Sequence, residues 1–343
     1  MSKVLVTGGL GFIGSHTVVE LMHAGFEVVI ADNLSNAEHF ILDRIEEITK
    51  VRPLFYEIDV SDKNSLTTVF QQEKNISLVI HFAAYKAVGE SYRLPLKYFS
   101  NNLSSLITVL AVMEEFDCAN IVFSSSATVY GEPDEVPVNE MAPMKKALSA
   151  YGSTKQICEE ILEKVVNAGG VKAISLRYFN PVGAHASGLL GELPKGVPNN
   201  LMPFITQVAA GIREALTVFG EDYDTADGTC VRDYIHVVDL AKAHVRACKI
   251  LMRSNETSSC QAINIATGNG VSVYQLLKAF ELYNNIRINY KVGERRLGDA
   301  PSLYADPAKA NEILGWKAEL GIREMVTSAW QWQKKITEHS SNT

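Results

Sequence analysis

The sequence predicts an α/β chain, an open doubly wound parallel sheet covered by helices and followed by a smaller mixed α/β C-terminal lobe. Three observations carry this reading. Strand-length apolar runs alternate with helical segments through the first half, a glycine-rich turn joins the first strand to the first helix, and the texture changes after Pro181. Strict alternation of strand and helix implies right-handed crossovers, and therefore a parallel sheet.

Strands are expected at 3–8 (KVLVTG), 27–32 (EVVIAD), 53–60 (PLFYEIDV), 78–84 (LVIHFAA), 120–126 (NIVFSSS) and 172–179 (KAISLRYF). Several are unbroken apolar runs, as expected of strands covered on both faces. Helices are expected near 14–24, 38–49, 62–74, 95–116 and 150–168. Beyond Pro181 the chain becomes rich in Gly and Pro (GLLGELPKGVPNNLMP) and the alternation is lost. The expected division is residues 1–180 and residues 181–343, with a soft boundary across which segments can interchange. Ligands of open α/β sheets sit beyond the carboxyl ends of the strands, where a second lobe would close a cleft.

Composition narrows the partners. The 343 residues are 47% apolar and 21% charged, ordinary for a soluble globular protein. A net charge of −7 without any basic-aromatic patch argues against nucleic acid. No apolar run reaches membrane-spanning length, and the N-terminus lacks the pattern of a signal peptide. The five cysteines are scattered without a CxxC pair, and read as reduced thiols of a cytoplasmic protein. No histidine spacing suggests a metal site.

The stretch VTGGLGFIGSH places Gly8, Gly9, Gly11 and Gly14 between the first strand and the first helix. Glycines there let the backbone turn sharply and approach a pyrophosphate, which rests on the helix N-terminus. The second strand ends in Asp32, 18 residues beyond Gly14, with no arginine beside it. An acid at that place accepts hydrogen bonds from ribose hydroxyls and repels a 2′-phosphate, so the loop reads as a Rossmann-like NAD site rather than one for NADP. Asp59 ends the third strand, within reach of an adenine amino group. Ala83 and Ala84 end the fourth, where small residues serve either cofactor room or tight sheet packing.

In YGSTK, Tyr151 precedes Lys155 by one helical turn. A second pair at this spacing, Tyr274 and Lys278, lies in an ordinary amphipathic segment, so spacing alone decides nothing. Position does. Tyr151 opens the helix after the fifth strand, whose carboxyl end carries Ser124, Ser125 and Ser126. An ammonium about 5 Å away, at an effective dielectric near 20, favours a phenolate by roughly 3 kcal/mol, on the order of two pKa units. Oxidised nicotinamide adds further positive charge. Tyr151 would then exchange a proton with an alcohol near neutral pH while Ser126 orients the same oxygen.

TGGLGFIG, HFAAYKAVGES, FSSSATVYG, YGSTK, LRYFNPVGAH, PNNLMP, VRDYIHVVDLA and RRLGDAPSLYAD occur in this order. Together they resemble the UDP-glucose (UDP-galactose) 4-epimerase family of extended short-chain dehydrogenases/reductases, from about residue 3 to about residue 335. The resemblance implies C4 epimerisation of UDP-hexoses through a 4-keto intermediate, with tightly bound NAD and a homodimeric assembly. It implies a cofactor site of Gly8, Gly11, Phe12, Ile13, Gly14, Asp32, Asn33, Ser35, Asn36, Asp59, Val60, Phe82, Ala83, Ala84, Lys86, Asn101, Ser124 and Phe179, shared with Tyr151 and Lys155. Tyr151 is then the base and acid, Lys155 its electrostatic partner, and Ser126 the hydrogen-bond partner of the sugar. Asn180, Asn199, Asn200, Leu201, Phe219 and Tyr234 would hold the nucleotide sugar, with Arg232 and Arg296 on the diphosphate and Asp299 on the ribose. The arginines also make chemical sense, because a guanidinium fork matches phosphate oxygens.

Two departures matter. Phe12 stands where many members carry tyrosine, so packing survives there without a hydroxyl. By the same resemblance, Leu303 stands where members differ in residue size and where bulk would limit the C2 substituent of the sugar; leucine is intermediate, which leaves UDP-N-acetylhexosamines an open alternative. A nucleotide-sugar 4,6-dehydratase would need an Asp-Glu pair where this chain has Ala127 and Thr128. A non-catalytic NAD-binding regulator would tolerate loss of the tyrosine or lysine, and both are intact. His236 and Asp239 read as a structural turn-and-cap pair.

Overall fold

The computed structural model describes residues 2–254, 258–296 and 299–341. Strands β1 (Lys3–Thr7), β2 (Glu27–Asp32), β3 (Leu54–Glu57), β4 (Ile76–His81), β5 (Asn120–Ser126) and β6 (Lys172–Tyr178) form at the predicted apolar runs, but β3 stops at Glu57, so Asp59 and Val60 lie beyond the strand rather than at its end. They alternate with α1 (Phe12–His23), α2 (Phe40–Thr49), α3 (Lys63–Gln72), α4 (Val88–Arg93), α5 (Pro95–Glu115) and α6 (Ala150–Ala168). The short α4 was not foreseen. Pro95 occupies the start of α5, and the residue before a proline is disfavoured in helical geometry, so the chain breaks at Leu94.

The second half supplies β7 (Asn180–Val182), α7 (Leu201–Ala209), β8 (Leu216–Phe219), β9 (Val231–His236), α8 (Val237–Arg253) and β10 (Ser259–Ile265). It continues with β11 (Gly270–Ser272), α9 (Val273–Asn284), β12 (Tyr290–Gly293), β13 (Ser302–Leu303), α10 (Ala308–Leu314) and α11 (Ile322–Ser341). No helix among the described residues is long and apolar enough to cross a membrane.

A seven-stranded sheet runs β10-β6-β5-β4-β1-β2-β3. Every adjacent pair in it is parallel. Side chains alternate across it. Val4 and Val6 of β1 join Ile30, Leu78 and Ile80 in a core shared with α1 and α8, whereas Leu5 joins Val29, Val79 and Phe123 on the opposite face with α3, α5 and α6. Burial of each such side chain stabilises by roughly 1.5–3 kcal/mol, which is what holds the strand ends in register. Two elements from beyond residue 181 thus belong to this layer system: β10 pairs with β6, and α8 lies on the face of α1.

Strands β7, β9, β11 and β13 form a small second sheet, and β8 pairs with β12. Helices α7, α9 and α11 close over them around Met202, Ile205, Leu276, Phe280 and Val326.

Candidate active site

The glycine loop is shaped by close backbone contact. Gly8 has φ +68°, and a Cβ added to Gly14 would lie 2.2 Å from the Gly8 carbonyl oxygen. The turn therefore has no room for a Cβ at Gly8 or Gly14. Helix α1 starts at Phe12 behind Gly11, which offers no side-chain cap to the helix N-terminus. Uncapped amides and the helix dipole there suit an anion. Asp32 accepts from the backbone N–H of Leu10 and of Leu34, each at 3.0 Å. Burial pushes its carboxyl upward, while those two bonds and Lys195 oppose the shift. Each oxygen retains a second acceptor position. These residues fit a dinucleotide: a cradle that a Cβ would fill, open amides, and an acid at the ribose position.

The flanking residues gather on the same rim. Asn33, Ser35 and Asn36 are exposed on the loop after β2, and the Asn33 amide donates to Asp59 at 3.3 Å. Val60 and half-buried Ile13 pack into the two layers beside the sheet. Strand β4 stops at His81, earlier than expected. Phe82 and Ala83 instead bond Thr7, through its carbonyl at 3.0 Å and its hydroxyl at 3.3 Å, which draws this turn and Ala84 toward the glycine loop. The Phe82 ring lies 4.8 Å from that of His244. Lys86 holds its ammonium 5.9 Å from the centre of the Phe12 ring. Asn101 donates to Asn102, which in turn fixes Tyr85 and Thr154.

Ser149 caps α6 by accepting from the Gly152 amide at 3.1 Å, which sets the helix start at the carboxyl end of β5. One turn apart, Tyr151 and Lys155 face the serine row. The Lys155 ammonium lies 5.8 Å from the centre of the Tyr151 ring and donates to the Ser124 carbonyl at 2.6 Å. Ser126, whose hydroxyl accepts from the Thr128 amide at 3.3 Å, lies close enough to the phenol to hold its pKa down. Burial pushes Tyr151 up to about 12, and Ser126 counters only part of that. Burial likewise brings Lys155 down to about 8. In the protein chain alone, desolvation of this half-buried phenol thus outweighs the opposing influence of Ser126.

The second lobe brings another group together. Arg296 forks onto Asp299 at 3.0 and 2.9 Å, and Arg232 reaches the same carboxylate at 3.5 Å. Arg296 also sits 5.9 Å from the centre of the Phe219 ring. Arg232 on β9 is in register with Leu303 on β13, and Tyr234 with Asn180 on β7. Leu303 packs against the cluster that contains buried Phe179. Asn199 and Asn200 are exposed just before Leu201, the first residue of α7. Tyr274 bonds Glu221 at 3.2 Å in the second lobe, away from the glycine loop. His236 accepts from Val238 N–H as the cap of α8, and Asp239 accepts from the Glu319 and Leu320 amides.

The family model for GDP-mannose 4,6 dehydratase matches residues 5–329. The UDP-glucose 4-epimerase of Bacillus subtilis is 49% identical over 331 residues, covering 96% of each chain. The chain belongs to the UDP-glucose 4-epimerase family. The solved UDP-glucose 4-epimerase of Bifidobacterium longum, in complex with NAD+ and UDP, superposes with a TM-score of 0.94 at 47% identity, covering 97% of this chain and 98% of that one. The enzyme from Stenotrophomonas maltophila, with bound NAD and formylated UDP-arabinopyranose, gives 0.95 at 45% identity, covering 99% and 100%.

Sequence reasoning missed part of what frames this epimerase site. Glu159, one turn beyond Lys155, accepts from Ser125 at 2.5 Å and from Arg177 on both oxygens. Arg177 also donates to Tyr130 at 3.0 Å, whose hydroxyl donates to Asn264 at 2.6 Å. Tyr178 hydrogen-bonds the Ser124 hydroxyl. The i, i+4 step from Lys155 to Glu159 was the available signal.

Proposed function

We propose that Tyr151, Lys155 and Ser126 carry a reversible epimerisation at C4 of UDP-hexoses, converting UDP-galactose to UDP-glucose. The supporting observation is their convergence: phenol, ammonium and hydroxyl meet at the carboxyl end of β5, on the rim where the glycine loop opens. NAD, held by the α1 N-terminus, Asp32 and the residues around them, supplies a hydride acceptor and a positive charge when bound.

The chain's own residues do the rest. Tyr151 takes the proton from the sugar O4 and later returns it. Ser126 orients that oxygen. Lys155 supplies the cation that makes an enclosed phenolate tolerable, and the nicotinamide charge adds to it. A 4-keto intermediate must turn over without leaving, which requires anchoring away from C4. Arg232 and Arg296 serve this by turning their guanidinium forks from Asp299 to the diphosphate, leaving Asp299 for the ribose. Asn180, Asn199, Asn200, Leu201, Phe219 and Tyr234 line the remainder.

Elimination at C5 and C6 has no proton carriers at Ala127 and Thr128, which disfavours a dehydratase despite the name of the matching family model. We read residues 1–180 as the NAD lobe and 181–343 as the UDP-sugar lobe, with α8 and β10 exchanged into the first. A cytoplasmic homodimer fits the free cysteines and the exposed Leu96 and Ile107 of α5, which are 81% and 52% accessible. The deciding experiment incubates purified protein with UDP-galactose, then with UDP-N-acetylgalactosamine, without added NAD, and follows C4 stereochemistry by NMR. Formation of UDP-glucose supports the reading; bound cofactor with no turnover of either sugar refutes it.

A further inference from the structure

Helix α6 docks on the large sheet at two points one turn apart. Lys155 reaches the Ser124 carbonyl, and Glu159, on the same helix face, reaches the next residue of β5. The Glu159 carboxylate accepts from the Ser125 hydroxyl at 2.5 Å and from Arg177 of β6, through Nε at 3.0 Å and Nη2 at 2.5 Å. Ser125 and Arg177 are register partners on adjacent strands, and Arg177 is in turn the register partner of Asn264 on β10. One carboxylate of α6 thus binds neighbouring positions of two strands, and the row continues onto a third.

The row closes around Ser126. Arg177 donates to the Tyr130 hydroxyl at 3.0 Å, and that hydroxyl donates to Asn264 at 2.6 Å. Tyr130 ends the short 3₁₀ turn Ala127–Tyr130, which Ser126 itself caps. Ser125 precedes Ser126 and Tyr130 follows it, so the network clamps the chain on both sides of the Ser126 hydroxyl. Its members, Ser125, Tyr130, Glu159, Arg177 and Asn264, are each at most 8% accessible. A buried ion pair gains little stability over apolar side chains filling the same space. What a carboxylate held by a guanidinium fork supplies is orientation, because its hydrogen bonds are directional and apolar packing is not.

We propose that Glu159 is a positioning residue for the epimerisation: it fixes the carboxyl end of β5 against α6, and so sets the Ser126 hydroxyl and the Lys155 ammonium in place beside Tyr151. This rests on the assignment of those three residues to the chemistry. Glu159 also bears on charge. The titratable groups about Lys155 are Tyr151, Cys158 and Glu159 on α6 and His81 on β4, with Tyr98 of α5 beside Tyr151 and with Arg177 and Tyr178 on β6 behind the serine row. Burial keeps His81 neutral, holds the Cys158 thiol up at about 11, and pushes the Tyr98 and Tyr178 phenols up as well. Glu159 is the fixed anion of this set, and the Arg177 guanidinium does not give up its proton. Without the Glu159 charge two buried cations remain, and Lys155 is the one that can become neutral.

The test follows kcat and KM for UDP-galactose in the holoenzyme between about pH 6 and pH 10. It compares wild type, Ser125→Ala, Glu159→Gln and Arg177→Gln, with folding checked by circular dichroism and NAD content by absorbance. Ser125→Ala leaves the ion pair whole and removes only its link to β5; kcat should fall roughly tenfold while KM stays within about twofold. Glu159→Gln keeps the shape of the carboxylate without its charge. It should lose about 10²-fold in kcat at similar KM, and its alkaline limb of kcat should move down by about one pH unit. Arg177→Gln breaks the same pair from the other side, and its alkaline limb should not move down. A merely structural pair would not distinguish the two. Ser125→Ala at the wild-type kcat overturns the proposal, even where both charge variants fail to fold. So does a Glu159→Gln limb that stays at the wild-type pH, or one that Arg177→Gln reproduces. A wild type that carries NAD but does not turn over UDP-galactose would instead remove the underlying assignment, which separates the two failures.

Discussion

Lys155 holds its ammonium 5.8 Å from the ring centre of Tyr151, while its hydrogen bond goes to the carbonyl of Ser124 at 2.6 Å. The cation is therefore anchored to the strand end and not to the phenol it serves. Removing the phenol oxygen should leave this anchoring intact. Tyr151→Phe is expected to lower kcat by roughly 10²–10⁴-fold, the usual worth of a positioned acid-base group. Its NAD content, read by absorbance after denaturation, should match wild type. A variant that turns over UDP-galactose at the wild-type rate would remove Tyr151 from the chemistry.

The same burial that positions Lys155 destabilises it. Its folded pKa sits at about 8 against an ordinary 10.5. Below about pH 8 both folded and unfolded chains carry the charge, and the folded state bears the full desolvation cost, on the order of 3 kcal/mol from the shift. Between about 8 and 10.5 the folded amine is already neutral while the unfolded one still binds a proton, so the cost is relieved as pH rises. Lys155→Met should therefore raise Tm at pH 7 while abolishing turnover. The Tm difference from wild type should narrow from pH 8 to pH 9.5. A gap that is constant across that range would show that the amine is not destabilised by burial.

Much of this arrangement is legible in the sequence, and the reason is locality. Each parallel strand was an apolar run, and the residues that matter sit at strand ends or one turn into the next helix, where sequence position and spatial position agree. Asp32, Ser126, Tyr151 and Lys155 are all of this kind. What escaped was set by pairing across long sequence distances. Glu159 and Arg177 look like ordinary charged residues until α6 and β6 meet and bury them together. Glu192 reads as a loop acid until the fold brings Lys86, 106 residues away, to its carboxylate. Strand β10 joins the first sheet only because the chain returns to its edge after α8, and no local pattern records that return.

Leu303 offers a test of sugar selection. It is half-buried in β13 and packs against the cluster containing Phe179. Shortening it should open room for a C2 acetamido group without disturbing β9. Leu303→Gly is expected to raise kcat/KM for UDP-N-acetylgalactosamine relative to UDP-galactose by about 10–200-fold, the span that small apolar pocket changes command. Paired kinetics on the two substrates check this. An unchanged ratio would place the size filter elsewhere.

The last expectation concerns acid. Four histidines are buried and held far below the ordinary 6.5: His16 and His81 at about 3, His236 and His244 at about 4, in each case chiefly by burial. Folded, they stay neutral at pH 5, whereas in the unfolded chain they bind protons. The unfolded state is thus favoured progressively as pH falls from 6.5 toward 4, and the stability these groups contribute is present in full only above that window. His244 isolates one share of the effect. Its ring lies 4.8 Å from Phe82 and 5.8 Å from Tyr178, its Nδ1–H donates to the Leu240 carbonyl, and its Nε2 meets no partner among the described residues. Phenylalanine fills the same space between two aromatic rings and cannot titrate. From pKa values of 4 and 6.5, His244→Phe should gain about 2 kcal/mol over wild type at pH 5 relative to the difference at pH 8. Urea unfolding of both proteins at the two pH values measures it directly. Parallel stability curves for the pair from pH 8 to pH 5 would mean that His244 is protonated inside the folded chain, and that burial does not set its charge.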